Sequence, residues 1–321
     1  MGKKIGLAMV GCGQIAEAHL KAIREIEGAH LAWCIDAVPE QARSAAERYG
    51  ATHFGTDYKK ALSCNSVDAV VLCLPHDLHL PFSVEASQAG KHVLVEKPMA
   101  LDEAEAARMV AEADRSGTQI SVGQSTRFMP TFQAAKREMA TGCLGRVVNI
   151  IHQRMFRVEK VSTEWRKSMS ACGGLYLPLF GSHDVDAILW LLDDQPSGVW
   201  GAVRASGPAT EGDSDGFIGL EFADGKICSL AFSLQSRHVR TETVLVGETA
   251  TLIIRRDKLL LDDRELPVPQ QENSFVLQMR QFVEALSAGQ PTPTQGWEVL
   301  RVMRTLDLAR QSSESGVRMV F

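Results

Sequence analysis

The sequence predicts an α/β protein of two domains: a doubly wound parallel sheet first, then an α+β domain with an open, mostly antiparallel sheet. A length of 321 residues exceeds that of one ordinary core. Up to about Gly123, short runs rich in Val, Ile and Leu alternate with helical patterns, and after it strands follow one another in hairpin style. Continuous apolar runs are typical of parallel strands covered on both faces. We therefore place the first domain at residues 1–123 and the second at 124–321.

The first domain is predicted to alternate strand and helix throughout. Asp102 and Glu105 have the spacing of a capping box, which marks the start of the helix that follows. Right-handed crossovers between such elements produce a doubly wound sheet. The predicted strands are Ile5–Val10, His30–Ile35, Ala69–Leu74, His92–Val95 and Gln119–Val122, and the predicted helices are Ile15–Glu27, Pro39–Tyr49, Leu78–Ala89 and Asp102–Ser116.

The second domain is predicted to contain hairpins and flanking helices. Asp224-Gly225 supplies a tight turn between two strands, Phe217–Phe222 and Lys226–Leu234. Further strands are predicted at Arg146–Arg154, Thr241–Val246, Ala250–Arg255 and Lys258–Leu261. The predicted helices are Pro130–Met139, Gly181–Leu192, one with the apolar face Phe275, Met279, Phe282 and Leu286, and Gly296–Gln311.

The composition and charge argue against several classes of function. The chain carries a net charge of −5 and no basic tract, which argues against nucleic acid as a partner. No apolar run is long enough to span a bilayer, and the N-terminus has no signal-peptide pattern. The seven cysteines include no Cys-x-x-Cys pair, which favours reduced thiols over disulfides or a metal site. We therefore expect a cytoplasmic protein without a metal.

A glycine motif predicts a dinucleotide site. Gly11-Cys12-Gly13-Gln14-Ile15-Ala16 follows the first strand and opens the first helix. Gly11 permits the tight turn, Gly13 lets the backbone approach a pyrophosphate, and Ala16 still allows the helix to pack closely on the strand. The start of the helix offers N–H groups and a partial positive charge to the phosphates. The alternative is a glycine turn without a ligand.

An acid at the end of the second strand indicates which dinucleotide binds. Asp36 can accept hydrogen bonds from both ribose hydroxyls of the adenosine, and its charge would repel a 2′-phosphate. No arginine follows it directly, since the nearest, Arg43, is a residue of the next helix, two turns on from Asp36. The sequence therefore predicts NAD rather than NADP. The alternative role for Asp36 is to cap the helix that begins near Pro39.

Two further segments place polar side chains in positions suited to chemistry. Glu96-Lys97-Pro98 follows the strand His92–Val95, at the carboxyl edge of the sheet, where Lys97 can donate to a substrate hydroxyl. Gly173-Gly174 precedes His183, which stands at the start of an apolar helix. The alternatives are a surface ion pair for Lys97 and a core histidine for His183.

Together these segments resemble the family of glucose–fructose oxidoreductases and inositol dehydrogenases, over essentially the whole chain. The resemblance rests on the segments Gly11–Ala16, Leu74–His79, Glu96–Pro98, Gly123–Pro130, Gly142–Gly145 and the glycine pair before His183 and Asp186. It implies a Rossmann domain followed by a substrate domain, with the site between the two. It also implies cofactor contacts beyond the glycine motif and Asp36, at Leu74, Pro75, His79, Glu96, Lys97, Pro98 and Gln124.

The resemblance implies roles for two residues at the reacting carbon. His183 is the general base when an alcohol is oxidised and the general acid when a ketone is reduced. Lys97 orients the hydroxyl and stabilises negative charge that develops on its oxygen. The candidate substrate contacts are Lys97, Arg127, Trp165, Arg166, Tyr176, Leu179 and His183.

The sequence departs from the family at one position. The family often has an aspartate four residues before the histidine, where this chain has Leu179, and residues 168–183 contain no carboxylate. Three consequences are open at this point. The substrate is less hydroxylated than a sugar, or another group such as Tyr176 supplies the missing hydrogen bond, or the protein binds the dinucleotide without turnover.

The predicted function is NAD-dependent hydride transfer at a secondary alcohol or ketone of a sugar, cyclitol or related small hydroxy compound. Two alternatives stay open: an NAD-assisted hydrolase or lyase that oxidises its substrate transiently, and a non-catalytic dinucleotide-sensing protein. The strands from Phe217 to Leu261 carry Val, Leu and Ile on both alternating faces. This pattern predicts a homodimer or homotetramer formed through the second domain.

Overall fold

The computed structural model describes residues 4–206, 212–270 and 272–321. The first part of the chain contains, in order, β1 (Ile5–Val10), α1 (Ala16–Glu25), β2 (Ala29–Ile35), α2 (Pro39–Tyr49), β3 (His53–Gly55), α3 (Tyr58–Leu62), β4 (Ala69–Leu72), α4 (His79–Gln88), β5 (His92–Val95), α5 (Glu103–Ser116) and β6 (Ile120–Val122).

The remainder contains α6 (Pro130–Ala140), β7 (Val147–Arg157), α7 (Met169–Cys172), α8 (Ser182–Leu192), β8 (Gly198–Arg204), β9 (Asp215–Glu221), β10 (Ile227–Ser233), β11 (Gln235–Gly247), β12 (Thr251–Arg255), β13 (Leu259–Leu261), β14 (Arg264–Leu266), α9 (Ser274–Ser287), α10 (Gly296–Ser315) and β15 (Met319–Val320). None of the helices within the described residues is long and apolar enough to cross a membrane.

In the described residues, β1 to β6 form a parallel sheet in the order β3-β2-β1-β4-β5-β6. The four residues from Leu7 to Val10 are at most 1% exposed, as a central strand covered on both faces requires. The predicted alternation of strand and helix is confirmed, and Asp102 caps α5 by accepting a hydrogen bond from the backbone N–H of Glu105. The sequence missed β3, because this short edge strand has no apolar run.

A second sheet of nine strands lies within the described ranges, in the order β14-β13-β12-β11-β7-β10-β9-β8-β15. Its neighbouring strands are antiparallel except for the parallel pair β7 and β10. The predicted hairpin is confirmed, since β9 and β10 pair across the turn at Asp224-Gly225 and the Phe222 N–H donates to the carbonyl of Lys226. The predicted fold class of the second domain, with an open and mostly antiparallel sheet, is therefore correct, although β8, β14 and β15 were not predicted.

The chain divides into two compact units, at different points from the predicted boundary. The first unit contains the residues up to Ser125 and Glu272–Leu300, and the second contains Thr126–Gln271 and Arg301–Phe321. Helix α9 belongs to the first unit because its apolar face is buried with β1 and α1; that face consists of Val276, Met279, Phe282 and Val283. The sequence shows this apolar face but not which sheet it covers, so α9 was placed in the second domain.

One face of the second sheet is apolar and exposed. Ile151, Trp200, Phe217 and Ile227 lie on four neighbouring strands and are between 37% and 52% exposed. Strand pairing sets small residues beside the large ones, namely Ser229 beside Ile151, Gly219 beside Trp200 and Ala231 beside Phe217. A flat apolar face of this kind is covered most simply by the identical face of a second copy, in an isologous contact. We propose that the predicted homo-oligomer forms through it.

Phe217→Glu should therefore shift the protein toward a monomer of 35.1 kDa, because a carboxylate would be buried without a partner in the contact. Light scattering at micromolar concentration should give two or four times that mass for the unmodified protein. Phe54→Glu is the matched control, since Phe54 of the first unit is 46% exposed and Phe217 is 47% exposed. A monomeric unmodified protein, or equal dissociation in both variants, would contradict the proposal.

Candidate functional site

The glycine loop after β1 is closed toward the sheet and open on its outer side. Gly11 has a φ of +85°, and a Cβ there would lie 2.3 Å from the carbonyl oxygen of Cys73, so this turn requires glycine. A Cβ on Gly13 would meet no described heavy atom within 4 Å. Ala16 is fully buried where α1 begins. The loop therefore fits a pyrophosphate that lies against the backbone at Gly13.

The Asp36 carboxylate joins the end of β2 to this loop. One oxygen accepts a hydrogen bond from the backbone N–H of Cys12 at 2.7 Å, and the other accepts one from Val38 at 2.8 Å. Val38 is itself the N-cap of α2 and makes no side-chain cap, so Asp36 does not cap that helix. A carboxylate offers about four acceptor positions, so Asp36 keeps two for ribose hydroxyls.

His79 ties together the loops that follow β4 and β5. Its Nδ1 lies 2.9 Å from the carbonyl oxygen of Pro98, and its Nε2 lies 3.1 Å from that of Leu74. Burial lowers the pKa of this imidazole, although the two carbonyls and Glu96 oppose the shift. Because the ring is fully buried, His79 positions Leu74 and Pro98 rather than contacting a cofactor directly, which corrects its predicted role.

Glu96 and Lys97 follow β5 in different environments. The Glu96 carboxylate is 7% exposed, and its Oε1 lies 2.7 Å from Nε2 of the buried His19 of α1. Its Oε2 accepts a hydrogen bond from the backbone N–H of Lys97 at 3.1 Å. Lys97 itself is partly buried and precedes a cis peptide bond to Pro98. The choice between a substrate contact and an ion pair for Lys97 stays a prediction.

The predicted cofactor residues fall into two groups by exposure. Those with accessible surface can contact a dinucleotide directly, and they are Gly13, Gln14, Ile15, Asp36, Leu74, Pro75 and Lys97. The buried ones shape the loops and strand ends from behind, and they are Gly11, Ala16, His79, Glu96, Pro98 and Gln124.

In the second unit, a buried carboxylate at the start of α8, that of Asp184, has three partners from two segments. The Tyr176 hydroxyl donates to Asp184 Oδ2 at 2.6 Å, Arg154 of β7 donates through Nε and Nη2 to both carboxylate oxygens, and His152 Nε2 lies 3.4 Å from Oδ2. Burial alone would raise the pKa of Asp184, but Arg154 and His152 outweigh it and hold that pKa well below its ordinary value. Asp184 therefore contributes stability above pH 3.8 that is lost as the pH falls below it.

Tyr176 does not replace the aspartate that the family often has at the position of Leu179. Its hydroxyl is not available to donate a hydrogen bond to a substrate. Its side chain is fully buried, and its ring stacks on Phe232 with centroids 3.5 Å apart. Burial and the Asp184 charge raise the pKa of its hydroxyl well above the ordinary value. The hydroxyl is thus committed to Asp184, which corrects the predicted substrate contact.

Arg127 is also a structural residue rather than a substrate contact. Its guanidinium donates to both oxygens of Asp186, at 2.8 and 2.7 Å. The side chains are 5% and 0% exposed. A bidentate pair of this kind holds the segment before α6 against α8.

His183 lines a cleft of about 770 Å³ in the second unit. The wall also includes Met129 and Phe132 from the helical side, and Arg154 and Thr241 from the sheet. A turn of π-helix, Leu177–Gly181, precedes α8, and within it Leu179 is 7% exposed. His183 is partly buried, so it has both a fixed helix position and access to the cleft.

The predicted contacts Trp165 and Arg166 lie on a short 3-10 turn, Glu164–Lys167, and are partly buried. The Arg166 guanidinium lies 5.0 Å from the centre of the Trp165 ring. Neither is among the described residues that line the cleft. Their contact with a substrate stays a prediction.

The sequence analysis missed three residues that organise these sites: His19, Arg154 and Asp184. A carboxylate inside an apolar helix must have a partner, so Asp184 could have been noticed. The alternation of β7 places Arg154 on the same face as the buried Ile150 and His152. No sequence signal identifies His19, because its partner Glu96 is remote in the chain.

Two family matches cover most of the chain. Residues 5–124 match the family described as the oxidoreductase family with an NAD-binding Rossmann fold, and residues 132–253 match the GFO/IDH/MocA C-terminal domain.

Individual proteins are similar over long stretches. The 4-carboxy-2-hydroxymuconate-6-semialdehyde dehydrogenase of Sphingobium sp. is 30% identical over 314 residues, which are 94% of this chain and 96% of that protein. The inositol 2-dehydrogenase of Rhizobium meliloti is 29% identical over 228 residues, which are 69% of this chain and 66% of that protein. The crystal structure of GenD2 from gentamicin A biosynthesis, in complex with NAD, has a TM-score of 0.89 at 25% identity and covers 100% of this chain and 97% of its own.

If Arg127 is structural, neutralising its partner Asp186 should strongly destabilise the protein. Asp186→Asn leaves a buried guanidinium without its counter-charge and should lower the free energy of unfolding by about 3 to 5 kcal/mol. Glu248→Gln is the control, because its pair with Arg146 is 51% to 55% exposed, and it should cost less than about 1 kcal/mol. Urea unfolding measures both. Equal small losses would show that the Arg127 pair is not structural.

Proposed function

This chain belongs to the Gfo/Idh/MocA family of oxidoreductases with an NAD-binding Rossmann fold, and we propose that it transfers a hydride between a nicotinamide cofactor and a secondary alcohol or ketone of a small hydroxy compound. Sugars, cyclitols and related molecules form the candidate class. The observation that carries the proposal is the position of His183, in the wall of a cleft large enough for such a substrate.

The cofactor is proposed to be NAD. The glycine loop provides the open backbone at Gly13, and Asp36 retains acceptor positions beyond its bonds to Cys12 and Val38. A carboxylate at this position accepts from ribose hydroxyls and repels a 2′-phosphate. When bound, the nicotinamide accepts or donates the hydride.

The proton chemistry is proposed for two side chains. His183 takes the hydroxyl proton when the alcohol is oxidised and returns it when the ketone is reduced, a role in which histidine is the most frequent side chain. Lys97 donates a hydrogen bond to the reacting oxygen and stabilises the negative charge that develops there. Leu179, where the family often has aspartate, leaves Lys97 and His183 to do this without a carboxylate from the turn before α8.

The class of substrate is supported by the comparisons in different ways. One relative is named for inositol, a cyclitol, and another for a carboxylated semialdehyde. Both names fit a hydroxylated or hydrated small molecule, and the second extends the candidate class to anionic compounds.

The assigned roles predict that His183→Ala and Lys97→Ala each lower turnover by about 100- to 10,000-fold, the usual loss for an acid–base group. NAD affinity should change little in His183→Ala and modestly in Lys97→Ala. Steady-state NADH formation over a panel of polyols and hydroxy acids gives the turnover, and titration calorimetry gives the affinity. His53→Ala, an exposed histidine of β3, should leave both unchanged.

Near-normal turnover in His183→Ala on an active substrate would make the histidine structural. Exchange of substrate hydrogen with bound NAD, without net NADH, would favour the hydrolase or lyase alternative. Cofactor binding with no exchange on any compound of the panel would favour the dinucleotide-sensing alternative.

The cofactor choice predicts tighter binding of NADH than of NADPH. Asp36→Ala should narrow that gap, because it removes both the ribose acceptor and the charge that repels a 2′-phosphate. Calorimetric titration of both nucleotides measures the gap in each protein. Tighter NADPH binding by the unmodified chain would overturn the proposal.

A further inference from the structure

The cleft that contains His183 carries an excess of positive charge. Among its described wall residues, Arg154, Arg240, Arg255 and Arg256 oppose only two carboxylates, Glu242 and Asp257. Burial tends to raise the pKa of Glu242, but hydrogen bonds from Arg240 and Arg255 outweigh it and lower that pKa. Glu242 neutralises only one of these two arginines. Asp184 neutralises Arg154 from behind, and Asp257 of the same wall offsets Arg256. The four arginines therefore leave an excess of one positive charge at the cleft, in a chain whose net charge is −5.

Arg154 is held so that one edge of its guanidinium is available. Asp184 engages Nε and Nη2, which fixes the plane of the group and leaves Nη1. The side chain is 21% exposed, so the ion pair does not bury it completely. A guanidinium fixed from behind loses little freedom when it binds an anion from the front.

Strand pairing places a hydroxyl beside the base of the Arg154 side chain, on the same face of the sheet. Thr241 of β11 is directly opposite Arg154 of β7, and Thr243 is opposite His152. Residues directly opposite in an antiparallel pair share a face, with Cβ atoms about 5 Å apart. His152 Nδ1 and Thr243 Oγ1 are already 2.8 Å apart, which leaves the Thr241 hydroxyl as the second donor on this wall.

We propose that the cleft binds a carboxylate group of the substrate, through Arg154 Nη1 and the Thr241 hydroxyl, with Arg256 adding positive charge at the rim. The planar carboxylate matches a guanidinium edge, and a charged acceptor forms a stronger hydrogen bond with an arginine than the hydroxyl of a neutral polyol does. This inference rests on the proposed function, because His183 of the same wall marks the reacting end. The substrate is then a hydroxy acid or a cyclic hydroxy carboxylate rather than an uncharged sugar.

The test measures binding and needs no turnover. The probe is isophthalate, a rigid dicarboxylate, and isophthalamide is its uncharged analogue of similar shape, both titrated into the NAD-loaded protein. Isophthalate should bind more tightly than about 1 mM and weaken with added salt, while isophthalamide should show no binding in that range. Arg256→Gln should weaken isophthalate binding about 5-fold and Thr241→Val about 10-fold.

Arg264→Gln is the control variant, because Arg264 is an exposed residue of β14 outside the cleft wall, and it should leave the affinity unchanged. Three results would each overturn the carboxylate site. They are equal binding of both probes, equal effects of Arg256→Gln and Arg264→Gln, and the absence of isophthalate binding. Equal affinity for inorganic phosphate would show a general anion site and also overturn it. Because these readouts are affinities, they stand even when no tested compound is oxidised, and a failed turnover assay alone would count against the proposed function only.

Discussion

A buried carboxylate cannot remain charged inside a protein unless nearby donors replace the water that it has lost, and Asp184 meets this condition with donors from β7 and from the turn before α8. Arg154, Tyr176 and His152 are therefore held by one charge. These contacts hold the first turn of α8 against β7, and His183 is the neighbouring residue in that turn. The same contacts also determine which edge of Arg154 is left for a ligand. A second buried pair, Arg127 with Asp186 two residues further along α8, anchors the same helix to the segment before α6.

The first unit uses a carboxylate differently. Asp36 accepts backbone N–H groups from the glycine loop and from the residue before α2, so it shapes the loop while keeping acceptor positions on its partly exposed side. His79 similarly connects the loops after β4 and β5, because its two ring nitrogens contact a backbone carbonyl in each loop. In both places the polar side chains that hold the backbone are buried or partly buried. The residues with accessible surface include Gly13, Gln14 and Lys97, which suits a site where an extended cofactor lies along strand ends.

The features that could be predicted from the sequence are those that depend on residues close together in the chain. The glycine motif, Asp36 and the Asp224-Gly225 hairpin follow from local spacing, and the structure has the loop, the strand end and the turn at those residues. The predictions that failed depend on partners far along the chain. The structural role of Arg127 could not be predicted, because its partner, Asp186, lies 59 residues away in the sequence. The apolar face of α9 was evident, but nothing local shows that it covers β1. The sequence offers Tyr176 as a substitute for the aspartate that is replaced by Leu179, because its hydroxyl is close in sequence. In the structure that hydroxyl already donates to the Asp184 carboxylate.

A crystal structure of the protein with NAD and isophthalate bound would test the central claim most directly, since that claim is that Asp184 orients Arg154 for a ligand in the His183 cleft. We expect a carboxylate on Arg154 Nη1 and the Thr241 hydroxyl, with the Arg154–Asp184 pair intact. A carboxylate bound elsewhere, or an Arg154 side chain that leaves Asp184 to reach the ligand, would contradict it.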